Sequence, residues 1–467
     1  MKRIYYLFLV TAIVLLNGCS ADFLEKEPAL EMSEKDIFST EERIEAALLG
    51  VYSQLKNTSG ESFLGGKSYV AVDAKGEDFK NIGNNLVTLF GTYNMQTLAN
   101  DDENIINWQE AYMAINNANV FMAGLENAKD VVGANYAQFK SEALFVRALS
   151  YYYLNMFYGK PYKLNPDAKS VPLRLTASVD GTGNNLKRST VKEVFNQILA
   201  DLSDENIANL GTSVNSYDGA TRATKAAAHA LRMRVYMAMQ NWDSAIAEGN
   251  SITGYSLVSD ISTLFATPFY STETIFSLPM ADNNRPNTQQ TVWEYYYDGQ
   301  IMVIDETIGI YSKAGYSNAS DKRISSLTAT KNGKKICVKF TSKNSWVPIF
   351  RLGEVKINLA ECYAEKGGAS EATAKALLKE VRRRSLADTD DTLLSDAQID
   401  ALTGDGLKTA IYNEKRLEFL GEGMRSLDIH RRAESYVKPD INVTASDNNY
   451  IWPIPSSETA INKALND

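Results

Sequence analysis

The chain has 467 residues and a formal net charge of −9, because 48 lysines and arginines are outnumbered by 57 aspartates and glutamates. This acidic balance argues against a nucleic-acid-binding protein, which needs a basic surface to replace counterions. The sequence contains only two histidines, so a site with several histidine ligands is excluded, and we expect neither a metal nor a cofactor. The 25 tyrosines favour dense helix packing, ligand stacking, or both.

The N-terminal segment has the pattern of a secretion signal. Two basic residues precede an apolar run over positions 4–16, which is shorter than the roughly 20 residues needed to span a bilayer. The run ends in Leu16-Asn17-Gly18-Cys19, which resembles the lipobox of bacterial lipoproteins. We therefore predict a signal peptide over 1–18, acylation of Cys19 and an acidic tether over 19–33. An ordinary secretory signal with a chance cysteine is the alternative.

The rest of the chain, residues 34–467, is predicted to form a single, predominantly helical domain. Nine segments are predicted to be helices; in the second of them, Tyr112, Ile115, Ala118 and Met122 recur at three- and four-residue steps and mark one apolar face. The predicted helices cover residues 41–55, 107–125, 134–157, 190–206, 224–240, 243–252, 351–366, 370–384 and 407–420. Thr40 is a predicted N-cap, because its hydroxyl can accept from the first turn and two glutamates follow it.

Two of these segments pair like a tetratricopeptide unit. Residues 224–240 are rich in alanine, and Asn241-Trp242 turns the chain into the next helix. The helix-turn marks do not recur at a fixed period of about 34 residues. We therefore predict a bundle of interrupted tetratricopeptide-like pairs with loop-rich insertions at about 57–104, 159–187 and 253–348. Minor short strands are expected at 86–90, 274–278 and 335–340.

Some residues that could be taken for functional groups are better explained by a structural role. Arg147 lies in an apolar helix and needs a carboxylate partner, either Glu142 or one on a neighbouring helix. Cys362 is expected to be a small buried residue, without a disulfide to Cys337. Two acidic clusters could offer oxygen ligands to calcium, but neither has a D-x-D-x-D-G loop, so solvated turns are favoured. These clusters are Asp101-Asp102-Glu103 and Asp388-x-Asp390-Asp391.

Six sequence blocks occur in one order along the chain. They are Asp22-Phe23-Leu24-Glu25-Lys26-Glu27-Pro28; Trp108-x3-Tyr112-x2-Ile115-Asn116-x2-Asn119; Glu142-Ala143-x3-Arg147-Ala148 followed by Tyr158-Gly159-x-Pro161; Arg351-x2-Glu354-Val355-x4-Ala360-Glu361; Glu414-x-Arg416-x-Glu418-x3-Glu422-Gly423-x-Arg425-x2-Asp428-x2-Arg431; and Trp452-Pro453-Ile454-Pro455-x2-Glu458. The charges of the fifth block predict a ladder along one helix face, with an anion site as the alternative. The two prolines of the last block predict a stiff strap that packs on the bundle.

Together these blocks resemble the SusD/RagB family of nutrient-binding surface lipoproteins of Bacteroidetes. The resemblance implies a lipid-anchored outer-membrane protein that faces the cell exterior. It also implies a protein that binds an oligosaccharide, without covalent chemistry, and delivers it to a SusC-like TonB-dependent β-barrel transporter. Three alternatives stay open: a peptide-binding, RagB-like member of the family, a surface glycoside hydrolase, and a scaffold that binds no nutrient.

Ligand contacts are expected in the insertions, because a rigid bundle presents its binding groups on loops. Sugars combine apolar faces with a rim of hydroxyls, so a glycan site needs flat aromatic rings beside hydrogen-bonding side chains. The first candidate loop contains Trp293, Tyr295, Tyr296 and Tyr297, preceded by Asn283, Asn284 and Arg285. A strand whose aromatic residues pack inward is the alternative for this loop. The further candidates are Asp73, Asp78 and Tyr93, where the family resemblance implies binding residues, and Trp346.

Overall fold

The computed structural model describes residues 34–56, 62–83, 85–180, 183–388 and 393–466. The predicted signal peptide, Cys19 and the acidic tether lie outside these residues. Within the described part, no helix has both the length and the apolar character needed to cross a membrane.

Helices dominate the described residues, as the sequence predicts. In chain order they are α1 (Glu34–Ile37), α2 (Glu41–Gln54), α3 (Lys67–Ala74), α4 (Phe90–Tyr93), α5 (Asp102–Asn127), α6 (Lys129–Val132), α7 (Tyr136–Tyr158), α8 (Val191–Asp201), α9 (Asp204–Ala208), α10 (Tyr217–Thr221), α11 (Lys225–Ala238), α12 (Trp242–Asn250), α13 (Val292–Tyr296), α14 (Lys322–Ser325), α15 (Leu352–Lys366), α16 (Glu371–Ser385), α17 (Asp396–Ala401), α18 (Gly404–Glu418), α19 (Arg425–Arg432) and α20 (Ser456–Ile461). Helix α5 packs on α7, α11 on α12, and α15 on α16, so the tetratricopeptide-like pairs are present and interrupted.

Local chemistry accounts for where these helices begin and turn. The Thr40 hydroxyl accepts from Arg43 N and caps α2, as predicted. Thr190 and Glu193 form a reciprocal capping box at the start of α8. Gly367 ends α15 with a positive φ of 68°, a conformation that costs glycine little, and the chain then reverses into α16.

The core is centred on α7, in which residues 141–158 are all buried. Cys362 in α15 is also buried and unbridged, as predicted. The C-terminal strap lies against the end of α7: Trp452 N donates to Phe157 O at 2.8 Å, and the two rings are 4.6 Å apart. The strap predicted from the two prolines is therefore confirmed.

The strands are short and form four antiparallel pairs: β1 (Phe79–Asn81) with β3 (Met302–Ile304), β2 (Thr274–Leu278) with β6 (Val347–Arg351), β4 (Thr328–Lys331) with β5 (Lys334–Cys337), and β7 (Tyr436–Lys438) with β8 (Ile441–Val443). Strand β2 has the predicted bounds. The β2–β6 pair fixes the start of the segment after Leu278 next to Val347 and hence next to Trp346.

The insertion at 57–104 differs from the prediction of loops with a short strand at 86–90. It contains the helix α3, and residues 86–88 form a 3-10 helix. All eight residues of α3 are buried, so this helix has no polar face and its sequence shows no amphipathic period.

The predicted charge ladder is also wrong in most of its pairs. Only Asp428 and Arg431 pair at three-residue spacing, with Arg431 Nη2 2.7 Å from Asp428 Oδ1. Glu422 accepts instead from Arg351 Nε at 2.8 Å, and Arg425 Nε donates to Glu77 Oε2 at 3.0 Å. These charged side chains are buried, and a buried charge needs a charged or hydrogen-bonding partner. Their partners come from elements that are distant in sequence.

Candidate functional site

A surface cleft of about 540 Å³ lies where α2, α10, the end of β2 and the residue before β6 meet. Its size is within the range typical of small-molecule sites. Trp346 and Asn284, two residues singled out from the sequence, both line it, although 62 positions separate them. We refer to it below as the aromatic cleft.

Four rings from three segments meet around Trp346, and two of them, Trp346 and Tyr217, line the aromatic cleft. The ring of Trp346 is 5.5 Å from that of Tyr217, edge to face, and 6.0 Å from those of Phe269 and Tyr270. Tyr217 is 53% exposed and the other three rings are half-buried. The cluster therefore offers apolar ring surface to solvent on a supported base, which is the geometry that stacks on a sugar ring.

Polar groups line the same cleft. Lys56 Nζ donates to Pro279 O at 2.6 Å and to Asn284 O at 3.4 Å, and its burial lowers the pKa of its ammonium to about 8. Ser53 Oγ is 3.4 Å from Asn284 Oδ1. The ammonium thus ties the 279–284 segment to α2 and fixes the main chain around Asn284.

Arg222 forms the inner wall of the cleft and is held by two carboxylates. Its Nε and Nη2 each donate to Glu142 at 2.9 Å, and its Nη1 pairs with Glu45. Tyr52 OH donates to the same Glu142 carboxylate at 2.9 Å. The guanidinium is therefore held from two sides, and both of its carboxylate partners are fixed to it by ion pairs.

The aromatic run at 293–297 is not a strand. It forms α13, where the Glu294 carboxylate accepts from Thr291 N and Oγ1. Tyr295 and Tyr296 are fully buried, with Tyr296 OH donating to Asp73 Oδ2 at 2.8 Å. Trp293 and Tyr297 are half-buried, with their rings 6.2 Å apart. Only these last two of the four rings are accessible to a ligand.

One loop connects the accessible half of α13 with the aromatic cleft. Lys343 Nζ lies 5.3 Å from the Trp293 ring centre, and Asn344 Nδ2 donates to Asp282 Oδ1 at 2.9 Å. Arg285 pairs with the same Asp282 at 3.9 Å. Trp346 follows two residues after Asn344. Residues 343–346 therefore contact Trp293 at one end and line the aromatic cleft at the other. Asn283, which is next to Asp282 in the chain, is exposed.

Asp73 and Asp78 have a different role from the one predicted. Both are 3% exposed, and Asp73 accepts from the main-chain N–H groups of Gly423 and Met424 at 3.0 and 3.2 Å. Burial raises the pKa of the Asp73 carboxyl to about 6, although these N–H groups act in the opposite direction. Asp78 accepts from Ile310 N at 2.7 Å and pairs with Arg416. Both carboxylates are buried and already paired within the protein, so we leave both out of the site.

Tyr93 is half-buried and lies away from the residues that line the aromatic cleft. Its ring packs under Lys438 Nζ at 3.8 Å, and its carbonyl accepts from the same ammonium at 2.7 Å. The structure gives this tyrosine a packing role. Among the described residues, no group of three or more His, Cys, Asp or Glu side chains is placed to hold a metal ion.

Sequence reasoning missed Tyr217, Phe269 and Tyr270. Tyr217 lies in a polar stretch, Asn215-Ser216-Tyr217-Asp218, where an isolated aromatic residue has no apolar neighbours to pack against. An aromatic residue in such a polar stretch could have indicated an exposed ring available to a ligand. Phe269 and Tyr270 follow Pro268 within the long insertion, and nothing in their spacing relates them to Trp346.

The fold and the cleft together define a class: a scaffold of helical pairs whose irregular insertions help to line a surface cleft. Two family models match the chain, one described as starch-binding associating with the outer membrane over residues 22–237, the other as the SusD family over residues 220–467. The chain belongs to the SusD family.

Solved structures and a named relative agree with this assignment. A SusD superfamily protein from Bacteroides fragilis is 54% identical, with a TM-score of 0.89, over 92% of this chain and 100% of that one. SusD-like protein P25 from Formosa agariphila is 20% identical over 91% of this chain and 89% of its own length. Surface glycan-binding protein A from Bacteroides uniformis shares the fold, with 19% identity and a TM-score of 0.71, over 91% of this chain and 99% of that one.

Proposed function

We propose that this protein binds an oligosaccharide in the aromatic cleft at the cell surface and passes it to a partner transporter. The observation that carries the proposal is the ring cluster of Trp346, Tyr217, Phe269 and Tyr270 beside Asn284. Rings that are exposed or half-buried, next to amide and main-chain groups, match the two kinds of surface on a sugar. The glycan-binding name of the Bacteroides uniformis neighbour supports the same ligand class.

The binding surface extends from the cleft toward α13. Trp293 and Tyr297 at α13 provide further rings, and Asn283 and Arg285 in the segment after β2 provide further hydrogen-bonding groups. We assign the outer sugar units of an oligosaccharide to these residues. Tyr295 and Tyr296 are excluded by their burial.

We also propose lipid anchoring at Cys19 and handover to a SusC-like TonB-dependent β-barrel transporter. The lipobox motif supports the anchor. The outer-membrane description of the matching family model supports the location. The function requires binding and release only, so we infer no covalent step.

Calorimetry with a panel of oligosaccharides tests the ligand. The best ligand should bind Trp346→Ala about tenfold more weakly than the unaltered protein, equivalent to about 1.4 kcal/mol. Phe90→Ala is the matched control, because Phe90 is an exposed aromatic residue that does not line the cleft. Equal affinity of the Trp346 variant would remove the cleft from the site.

The same panel separates the remaining alternatives. Appearance of shorter sugars during incubation would identify a glycoside hydrolase. Binding of peptides without binding of glycans would identify a RagB-like peptide receptor. Binding of neither class would indicate a scaffold.

A further inference from the structure

The β7–β8 hairpin and the turn that follows it, residues 433–450, pack on the protein through a small hydrophobic cluster. We call residues 433–450 the β7–β8 flap. The buried members of this cluster, which are separate from the main core cluster, are Met95, Ile429, Tyr436, Val443, Ala445 and Tyr450. A segment with few buried apolar contacts is typical of those that open locally. The flap contributes no residue to the lining of the aromatic cleft, so the two can be tested separately.

Two buried lysines hold the flap to the helices beneath it. Lys75, the C-cap residue of α3, is 3% exposed, and its Nζ donates to Tyr450 O at 2.9 Å. Lys438, in β7, is 6% exposed, and its Nζ donates to Ala74 O at 2.8 Å and to Tyr93 O at 2.7 Å. Each lysine therefore bridges the flap and the region of α3 and α4.

A buried histidine lies beside them. His430, near the end of α19, is 3% exposed, and its Nε2 donates to Gly159 O at 2.8 Å. Its ring centre is 5.9 Å from that of Tyr450. Its Nδ1 is buried and has no hydrogen-bond partner among the described residues. A second proton on this ring would therefore be a buried donor without an acceptor, which is costly.

No negative charge compensates these three basic side chains. In the part of the chain that the structure describes, their hydrogen-bond acceptors are main-chain carbonyls. The rings of Tyr436 and Tyr93 lie 5.0 and 3.8 Å from the Nζ atoms of Lys75 and Lys438, and they stabilise a cation in part. A buried charge without a counter-ion remains costly despite such contacts.

The other charged groups around the flap are already engaged or exposed. Glu77 acts on Lys438 in favour of its charge, but the Glu77 carboxylate pairs with Arg425 and Arg416. Lys160, at the end of α7, adds positive charge near His430. The remaining charged residues on the packed elements are Asp73, which accepts from main-chain N–H groups, Asp428, Arg431, Arg432 and Glu434, which are paired, and Asp440 and Asp447, which are exposed.

The effect of burial on proton binding agrees with this arrangement. Burial lowers the pKa of Lys75 to about 7 and that of His430 to about 4, and it holds the pKa of Lys438 well below its ordinary value. Each group therefore binds a proton less readily in the docked flap than in water. By linkage, docking is strengthened as the pH rises from about 4 to 6.5 through His430, and from about 7 to 10.5 through Lys75.

We propose that the β7–β8 flap opens locally as the pH falls, because protonation of Lys75, Lys438 and His430 opposes its docking. Opening exposes the rings of Tyr436 and Tyr450 and releases Tyr93 from Lys438. The helices of the main core stay folded, since they belong to the other hydrophobic cluster.

Hydrogen exchange followed by mass spectrometry tests the proposal on the unaltered protein. After correction for the intrinsic exchange rate, the protection of amides in residues 436–443 should rise about tenfold or more between about pH 6 and about pH 9. The protection of α7 amides should change far less. An equal rise in α7 would show that the whole protein responds and would overturn the proposal. So would a flap whose protection does not change with pH.

Lys75→Met and Lys438→Met show whether these two side chains cause the rise. Each substitution keeps an apolar stem and removes the charge, so each should make the rise smaller, whatever the protection is at a single pH. Lys140→Met, at an exposed position of α7, is the matched control and should leave the rise unchanged. A rise that persists in full in both lysine variants would contradict the proposal. The measurement on the unaltered protein remains decisive if a variant folds poorly.

Discussion

Arg147 and Asp201 form a buried, two-pronged ion pair between α7 and α8. Arg147 Nε is 2.9 Å from Asp201 Oδ2, and Nη2 is 2.6 Å from Oδ1. Arg147 Nη1 also donates to Asn119 Oδ1 in α5 at 2.8 Å. One guanidinium thus joins three helices of the scaffold, and this satisfies the sequence-based expectation that Arg147 must be paired by a neighbouring helix.

Removing one partner of this ion pair should show how much free energy is lost when a charge is buried alone. We expect Asp201→Ala to lower the free energy of unfolding by about 3–5 kcal/mol, because it leaves the guanidinium buried without its counter-ion. Urea denaturation measures the difference. Glu380→Ala, which removes a carboxylate from the more exposed pair with Lys356, serves as the control and should have a much smaller effect. Similar losses in the two variants would argue against a special role for the buried pair.

The helical part of the fold was predictable because it depends on local signals. The caps at Thr40 and Thr190, the alanine-rich pair beginning near Thr224 and the turn at Gly367 are all encoded within a few residues. Helix α3 was missed for a physical reason: a helix buried on every side has no period that distinguishes it from a loop.

The candidate site was predictable only in part. Trp346 and Asn284 were found because rings and amides are the groups a sugar needs. Their meeting depends on the β2–β6 pairing, which joins segments about 70 positions apart, and local sequence carries no record of it. Asp73 was misassigned for a related reason, since its partners Gly423 and Met424 come from the far end of the chain.

The backbone conformation of Gly423 allows the close contact between residues 423–424 and Asp73. Its φ is +63°, and a Cβ there would lie 2.9 Å from the ring of Tyr69. We expect Gly423→Ala to destabilise the protein, because alanine disfavours this φ and would push the chain away from Tyr69 and Asp73. Thermal unfolding should show a lower midpoint. Gly368→Ala, also at positive φ but with open space around its Cβ, separates the backbone cost from the clash. Equal effects of the two substitutions would exclude the clash.

Glu77 should make stability depend on acid pH. Its burial opposes ionisation, but pairing with Arg425 and Arg416 prevails and lowers the pKa of its carboxyl to about 2 from an ordinary value of 4.5. A lowered folded-state pKa means that the stabilisation is fully present above about pH 4.5 and is lost as the pH falls toward 2. At roughly 1.4 kcal/mol per pKa unit, the contribution is on the order of a few kcal/mol.

Glu77→Gln tests this dependence directly. The variant should be less stable than the unaltered protein at neutral pH, and the difference should shrink as the pH is lowered through this window. Denaturant unfolding at a series of pH values measures it. Glu306→Gln is the control, because Glu306 is exposed and pairs only with Lys335. A difference that stays constant with pH would show that Glu77 acts through packing and not through its charge.

Trp293 tests how far the glycan surface extends beyond the aromatic cleft. We expect Trp293→Ala to weaken oligosaccharide binding by about 1–3 kcal/mol, with base–aromatic stacking as a rough guide to ring–sugar stacking. Tyr295→Phe is the matched control on the same helix, since the Tyr295 ring is fully buried and cannot touch a ligand. If only Trp346→Ala, and not Trp293→Ala, reduces the affinity measured by calorimetry, the bound sugar is confined to the cleft.

The anchor proposal makes a prediction about location. Cys19→Ala removes the thiol that would carry the lipid, so the variant should leave the membrane fraction and appear in soluble fractions of cells. Fractionation followed by immunoblotting measures this. Cys362→Ala is the control, because this buried thiol in α15 has no part in anchoring, and the variant should stay with the membrane. Membrane retention of the Cys19 variant would require a different attachment, through protein contacts rather than a covalent lipid, and the oligosaccharide-binding proposal would stand without the anchor.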